Sequence, residues 1–219
     1  IGKGALTNNI YGQRNIAIGQ NALNVQSFAN GNINYNSENI AIGWEALKNN
    51  NPTSATNGTY NVAIGNEALT ANTFGRHNTA VGFTSMFMNT EGGQNTAMGS
   101  NSLRFNTLGG NNVAIGGSAL NQNSSGSQNT ALGTFSSYLN TTGSSNVAIG
   151  YQALKENKAN SGSTAVGINA MLYADDRIVG RTTFNTAIGY EALRGSTTPA
   201  QNHGQYNTAV GYAALFSNE

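Results

Sequence analysis

Apolar positions recur along this chain in a fixed phrase, Asn-x-Ala-Ile-Gly-x-x-Ala-Leu, with Asn, Ser, Thr and Gly filling the intervals. The phrase glycines are Gly2, Gly19, Gly43, Gly65, Gly82, Gly99, Gly116, Gly133, Gly150, Gly167, Gly189 and Gly211; six consecutive steps are 17 residues and four others are 22 or 24. Self-similarity at such a period predicts one supersecondary unit stacked along an axis. Within the copy at 95–111, Thr96 and Met98 fall on one side of a two-residue alternation and Ala97 and Gly99 on the other, which is the period of a strand. The Thr96 column is β-branched in nearly every copy and the Met98 column holds Ile, Val and Leu, so this side is expected to face the core. The opposite side carries Ala80, Ala97 and Ala114 with their following glycines. Small residues in every copy predict close approach by a return strand, a turn or a neighbouring subunit. A second apolar column, including Leu103, Leu120 and Leu154, is expected to pack beneath the first.

Asn72, Asn89, Asn106, Asn123, Asn140 and Asn157 lie seven residues after the phrase glycine, and Gly75, Gly92, Gly109, Gly126 and Gly143 lie seven before the next. Both residue types tolerate positive φ, which marks these columns as reversals of the chain. The asparagines also have the spacing to stack as hydrogen-bonded amides along the axis. One coil must close within 17 residues. Two strands of about 4 to 5 residues joined by two turns fit that length. The expected fold is all-β: one repeat domain over 1–219, a flattened parallel β-roll with about 11–12 coils. Glycine density and the two-residue alternation disfavour helical repeats.

Composition narrows the chemistry. Ten Lys and Arg face nine Asp and Glu, a net charge of +1, with no basic stripe for nucleic acid. Cysteine is absent, so neither a disulfide framework nor a thiolate metal site is available. Calcium-bound rolls place Asp in every copy, whereas here Asp175 and Asp176 are the only aspartates. No apolar run is long enough for a membrane-spanning helix, so direct membrane insertion by this segment is not expected. The chain starts and stops inside a repeat, which suggests a piece of a longer protein.

Catalysis has little to work with. His77 sits beside Arg76 in a turn, His203 lies in an insertion, and the aspartate pair is distant from both in sequence, so no triad, no carboxylate pair in a cleft and no cofactor is expected. Departures from the repeat are more informative. The lengthened intervals place insertions at about 20–39, 49–60, 173–184 and 195–206. They hold Phe28, Tyr35, Tyr60, Tyr173, Asp175, Asp176, Arg177, Arg181, Phe184, His203 and Tyr206. Insertions in solenoids emerge as loops on one face, and such loops either contact ligand or cap the roll and touch neighbouring subunits. A second candidate surface is the column after the phrase glycine, where Trp44, Phe83, Tyr151, Tyr190 and Tyr212 could stack on a sugar or anchor a protein partner. The candidate ligand residues are therefore Tyr35, Trp44, Tyr60, Tyr173, Arg177, Arg181, His203 and Tyr206. Gly65, Gly82, Gly99, Gly116, Gly133, Gly150 and Gly167, with the alanines, are structural.

The phrases Asn61-Val62-Ala63-Ile64-Gly65, Asn112-Val113-Ala114-Ile115-Gly116 and Asn146-Val147-Ala148-Ile149-Gly150 resemble the Asn-Ser-Val-Ala-Ile-Gly core of YadA-like head domains in trimeric autotransporter adhesins. The longer phrase Asn185-Thr186-Ala187-Ile188-Gly189-Tyr190-Glu191-Ala192-Leu193 is similar to repeats in related bacterial surface proteins and phage-type tail fibres. The resemblance covers essentially the whole chain. It implies a left-handed parallel β-roll, a homotrimeric fibre, an extracellular bacterial surface location with anchoring regions elsewhere, and adhesion to a glycan or protein receptor. A phage or injection-system tail fibre and a purely structural spacer are the other functions such a fibre could serve. The 17-residue unit is longer than the usual head repeat, and the four insertions are additional.

Overall fold

The computed structural model describes residues 2–26, 34–174, 177–198 and 203–217; Phe28, Asp175 and Asp176 lie outside them. Eleven three-residue strands, from Ile16–Ile18 to Thr208–Val210, form one parallel sheet whose strand order follows the sequence. Each strand pairs in register with the equivalent residues one coil away, as Ala97 with Ala114 and Ala114 with Ala131. The described residues contain no helix. The architecture is the expected parallel β-roll.

The coil differs from expectation in having one short strand rather than two longer ones. Its second side consists of turns that still bond coil to coil: Leu103 N–H donates to Ala119 O at 2.9 Å and Phe105 N–H to Asn121 O at 3.0 Å. A regular strand is impossible there because left-handed residues alternate with ordinary ones, as at Asn101 (φ 58°) and Leu103 (φ 50°). The phrase glycine begins this side. Gly116, at φ 131°, is in a region closed to other residues, and a Cβ on it would lie 2.7 Å from the Gly133 carbonyl.

The core is also reversed relative to expectation. Ala97, Ala114 and Ala131 are fully buried together with Leu103 and Leu120, whereas Met98, Leu132 and Ile188 are each more than 40% exposed. The strand's β-branched and Ile side therefore faces outward. The physical reason is thickness: a 17-residue coil brings strand and turns so close that an alanine and a leucine fill the space between them. A further buried column alternates Ala and Ser, at Ala68, Ser85, Ser102 and Ala119.

Amides supply the rest of the interior. Asn89 Nδ2 donates to Asn72 Oδ1 (2.9 Å), Asn106 to Asn89 (2.6 Å) and Asn123 to Asn106 (2.7 Å), a ladder running from Asn50 to Asn157. The second amide hydrogen of each clamps its own turn, as Asn106 Nδ2 does on Gly109 O at 2.9 Å. A parallel ladder uses the asparagine that opens the phrase: Asn95 Oδ1 accepts from Asn112 N–H (2.9 Å), and Asn95 Nδ2 donates to the same Gly109 carbonyl (2.9 Å). The asparagine columns are thus buried amide stacks, and their residues do not adopt positive φ. Gly109 is small for a related reason: a Cβ there would strike Asn106 Oδ1 at 2.5 Å.

All four insertions enter at one turn, between the laddered asparagine and the next phrase. In regular coils that turn is pinned by the three-residue Asn-to-Gly clamp. Where Gln26, Ala174 or Ser196 replaces the asparagine, the turn lengthens. At the remaining insertion Asn50 keeps its clamp but reaches Gly58 O, eight residues on, at 2.8 Å, and loops out the chain between.

Candidate interaction surface

Because Ala fills the interior, the sheet's outer side presents two adjacent uncharged columns, one of Ile, Val and Thr and one of Ile, Val, Leu and Met. One runs Ile16, Ile40, Val62, Thr79, Thr96, Val113, Thr130, Val147, Thr164, Thr186, Thr208; the other runs from Ile18 through Met98 and Ile149 to Val210, and neither contains a charged residue. Residues on either side of the strand continue this face. After the phrase glycine stand Gln20, Trp44, Asn66, Phe83, Ser100, Gly117, Thr134, Tyr151, Ile168, Tyr190 and Tyr212. Five residues before it stand Arg14, Glu38, Tyr60, His77, Gln94, Asn111, Gln128, Ser145, Gly162, Phe184 and Tyr206, all at positive φ, with Arg14 and Glu38 ion-paired at 3.0 Å. Among those in the middle coils Gln94, Asn111 and Gln128 are exposed.

Aromatic members of these margins pack along the axis. Tyr60 and His77 stack with centroids 4.9 Å apart and planes 2° from parallel, and Tyr190 and Tyr212 stack at 5.4 Å and 6°. Phe184 and Tyr206 lie 5.8 Å apart, tilted by 30°. Rings stacked in this way hide faces against one another, which leaves edges and outermost faces for any sugar or partner.

The eight candidate residues do not converge on one site. Tyr35 is not at the surface: only 6% of it is exposed, and its strand Tyr35–Asn36 pairs with Gly12–Gln13 to enlarge the first complete coil. Gln26 Nε2 donates to its hydroxyl at 3.1 Å, and burial raises the phenol pKa above 10.0 against the lowering effect of that bond. Polar backbone opened by the insertion requires a bulky filler, which the aromatic supplies. Trp44 and Tyr60 lie on opposite margins of the sheet. Tyr173 is on the turn side, its ring 5.0 Å from the Arg194 guanidinium, which also lies 5.1 Å from Phe216. Arg177 and His203 do meet across two insertions, Nη1 to Nδ1 at 3.4 Å. The Arg181 N–H donates to Asn160 Oδ1 at 3.2 Å and thereby anchors the third insertion to the coil below. Tyr206 joins Phe184 in the margin stack.

Two features lay outside the sequence expectations. Ile178 and Val179, at the tip of the third insertion, are 82% and 80% exposed. The outward Ile columns are the other; their uncharged character was the signal, and invariant alanine was the clue that the interior had no room for them. Among the described residues no group of three or more His, Cys, Asp or Glu could hold a metal ion.

Fold and surface together define a parallel β-solenoid with one sheet face whose two strand columns carry no charged residue. No family model matches the chain, and no curated protein or solved structure matches it.

Proposed function

We propose that this chain is a segment of an extracellular adhesin fibre in which three copies associate side by side through the apolar sheet face. The observation that carries the reading is that face. Eleven strands at about 4.8 Å spacing carry an outward column of Ile, Val, Leu and Met beside a column of Ile, Val and Thr, a contiguous uncharged strip about 50 Å long. A large contiguous apolar patch on a soluble protein marks an interaction site. Self-association covers the face without any new fold. Threefold association, the bacterial surface location and attachment to a glycan or protein receptor rest on the resemblance of the repeat phrase to YadA-like heads. Multivalent display of the insertion loops would give weak contacts useful strength.

Sedimentation equilibrium is the first test: the mass should be three times the 22.7 kDa of one chain, and a stable monomer overturns the reading. Attachment of labelled fibres to cells or to a glycan array, with and without the third and fourth insertions, tests adhesion. Unchanged attachment after deletion would remove those loops from the function.

A further inference from the structure

Five residues after the phrase glycine, on the turn side, one column holds four cations: Lys48, Arg104, Lys155 and Arg194. Three of them have a carboxylate within the chain. Lys48 pairs with Glu45 at 2.8 Å, Lys155 with Glu156 at 3.3 Å and Arg194 with Glu191 at 3.5 Å. Arg104 has none: Asn101 stands where Glu45 and Glu191 stand in the other coils, and Glu91 is the one other charged residue from Asn78 to Leu154. Among the described residues the Arg104 guanidinium makes no ion pair, and its buried Nε has no hydrogen-bond partner. It is nevertheless held in place. Its centre lies 5.0 Å from the Phe105 ring and 5.8 Å from the ring of Phe87 in the preceding coil. Arg194 has the same setting, 5.0 Å from Tyr173 and 5.1 Å from Phe216, with the Glu191 carboxylate added. The coil of Arg194 contains the anion that the coil of Arg104 lacks.

We propose that Arg104 is a binding site for a carboxylate in an acidic peptide segment of a partner protein. A guanidinium held between two rings presents its Nη groups as a ready fork, and a carboxylate takes that fork with two parallel hydrogen bonds. Because the side chain is already ordered, little rotamer freedom is lost on binding. The surroundings favour a peptide over an acidic sugar. Amides that would read sugar hydroxyls are engaged within the chain: Asn101 Oδ1 accepts from Thr84 Oγ1 at 2.7 Å, and Asn101 Nδ2 donates to Ser100 Oγ at 3.1 Å. Asn121 Nδ2 donates to Asn101 O and Asn121 Oδ1 accepts from Gln122, both at 2.8 Å. Beside the fork stand the apolar Phe105 and, one coil earlier, Met88, which is 39% exposed and whose N–H donates to Arg104 O at 2.9 Å. An apolar side chain next to a glutamate suits that pair. The site lies on the turn side, so it does not depend on how the sheet faces associate.

The buried Nε–H of Arg104 is the readout, a side-chain resonance in heteronuclear NMR spectra of the full chain, assigned by its disappearance in Arg104→Lys. A capped leucine-glutamate-leucine peptide should shift it saturably, and the glutamine counterpart should not. Asn101→Glu supplies an internal carboxylate as Glu191 does for Arg194. It should move the resonance without peptide and weaken peptide binding at least about tenfold, the loss of one charge-assisted pair. The fold accepts glutamate there: Glu67 holds the same position at φ 58°, the value at Asn101. Asn101→Ser, the residue of the next coil at Ser118, should bind like the wild type. No shift with the glutamate peptide, an equal shift with the glutamine peptide, or undiminished binding by Asn101→Glu overturns the site. Tighter binding of a hyaluronan tetrasaccharide, an acidic sugar, overturns the choice of a peptide. A monomeric mass overturns the fibre and leaves each of these outcomes readable on the single chain.

Discussion

The coils between Asn89 and Asn157 and the coil that follows them obey different rules. In the former, each turn is clamped twice on one carbonyl, by the laddered asparagine and by the one opening the phrase, as Gly126 O is by Asn123 and Asn112, both at 2.9 Å, and Asn160 O by Asn157 and Asn146. In the latter, Ser163 stands where the opening asparagine would be and Ala174 where the laddered one would be. Ser163 Oγ turns to Thr183 Oγ1 instead, and the turn after Ala174 takes an insertion before the pattern resumes at Asn185. The comparison teaches that the buried amides fix where a turn closes, whereas the apolar residues are present in both. An unclamped turn can lengthen, as after Gln26, Ala174 and Ser196, and where both clamps are kept, at Asn50 and Asn39 on Gly58 O, the extra residues loop out before the clamped carbonyl.

This difference can be broken first at the glycines. Gly116→Ala is expected to cost ~3 kcal/mol or more, because it adds both backbone strain and a clash with the next coil. Gly211→Ala, whose Cβ meets nothing within 4 Å, should cost about 1–2 kcal/mol from strain alone. Urea unfolding of the two variants checks the order, and equal losses would mean that coil-to-coil contact is not what selects glycine. Next in size is the ladder. Asn123→Ala leaves Asn106 Oδ1 and Asn140 Nδ2 without their axial partners and should destabilise by ~2–3 kcal/mol. Ser163→Ala, in the coil where the ladder is already interrupted, should cost ~1 kcal/mol. Similar values for both would erase the distinction between the regions.

The first coils give a smaller, pH-dependent effect. Burial raises the Tyr35 phenol pKa, so folding favours the protonated form. Its contribution to stability is complete below the unfolded pKa of about 10 and is lost as pH rises from there through the folded value. Stability measured from pH 9 to 11 should fall more in the wild type than in Tyr35→Phe; parallel curves would place Tyr35 outside the interior. The smallest effect is a gain. Gln128 sits at φ 61°, and Gln128→Gly should raise stability by about 0.5–1 kcal/mol if relief of left-handed strain outweighs backbone entropy. A loss would show that the conformation costs Gln128 little.

Much of this was legible in the residues. The period gave the roll and its parallel register, and the Asn column gave an amide stack as one of two readings. The core is not legible in the pattern because alternation along a strand says which residues share a side, not which side is inside. Ile and Thr look like interior strand residues, yet Ala97 and Leu103 occupy the core because the roll is too thin for anything larger opposite leucine. Tyr35 was placed at a surface by the same kind of inference: an aromatic in an insertion reads as a contact residue, and only the pairing of Tyr35–Asn36 with Gly12–Gln13 puts it inside. That Gln26, Ala174 and Ser196 mark three insertion points is visible in the sequence once the clamp is known.

The central claim, that the Ile side of the sheet faces outward and carries self-association, is tested most directly by the mass of a variant with Ile115→Lys and Ile149→Lys. Sedimentation equilibrium should find this variant as a folded species at the single-chain mass of 22.7 kDa, against three times that for the wild type. An unfolded or aggregated variant would return those isoleucines to the core, and an undiminished oligomer would move the association to another face.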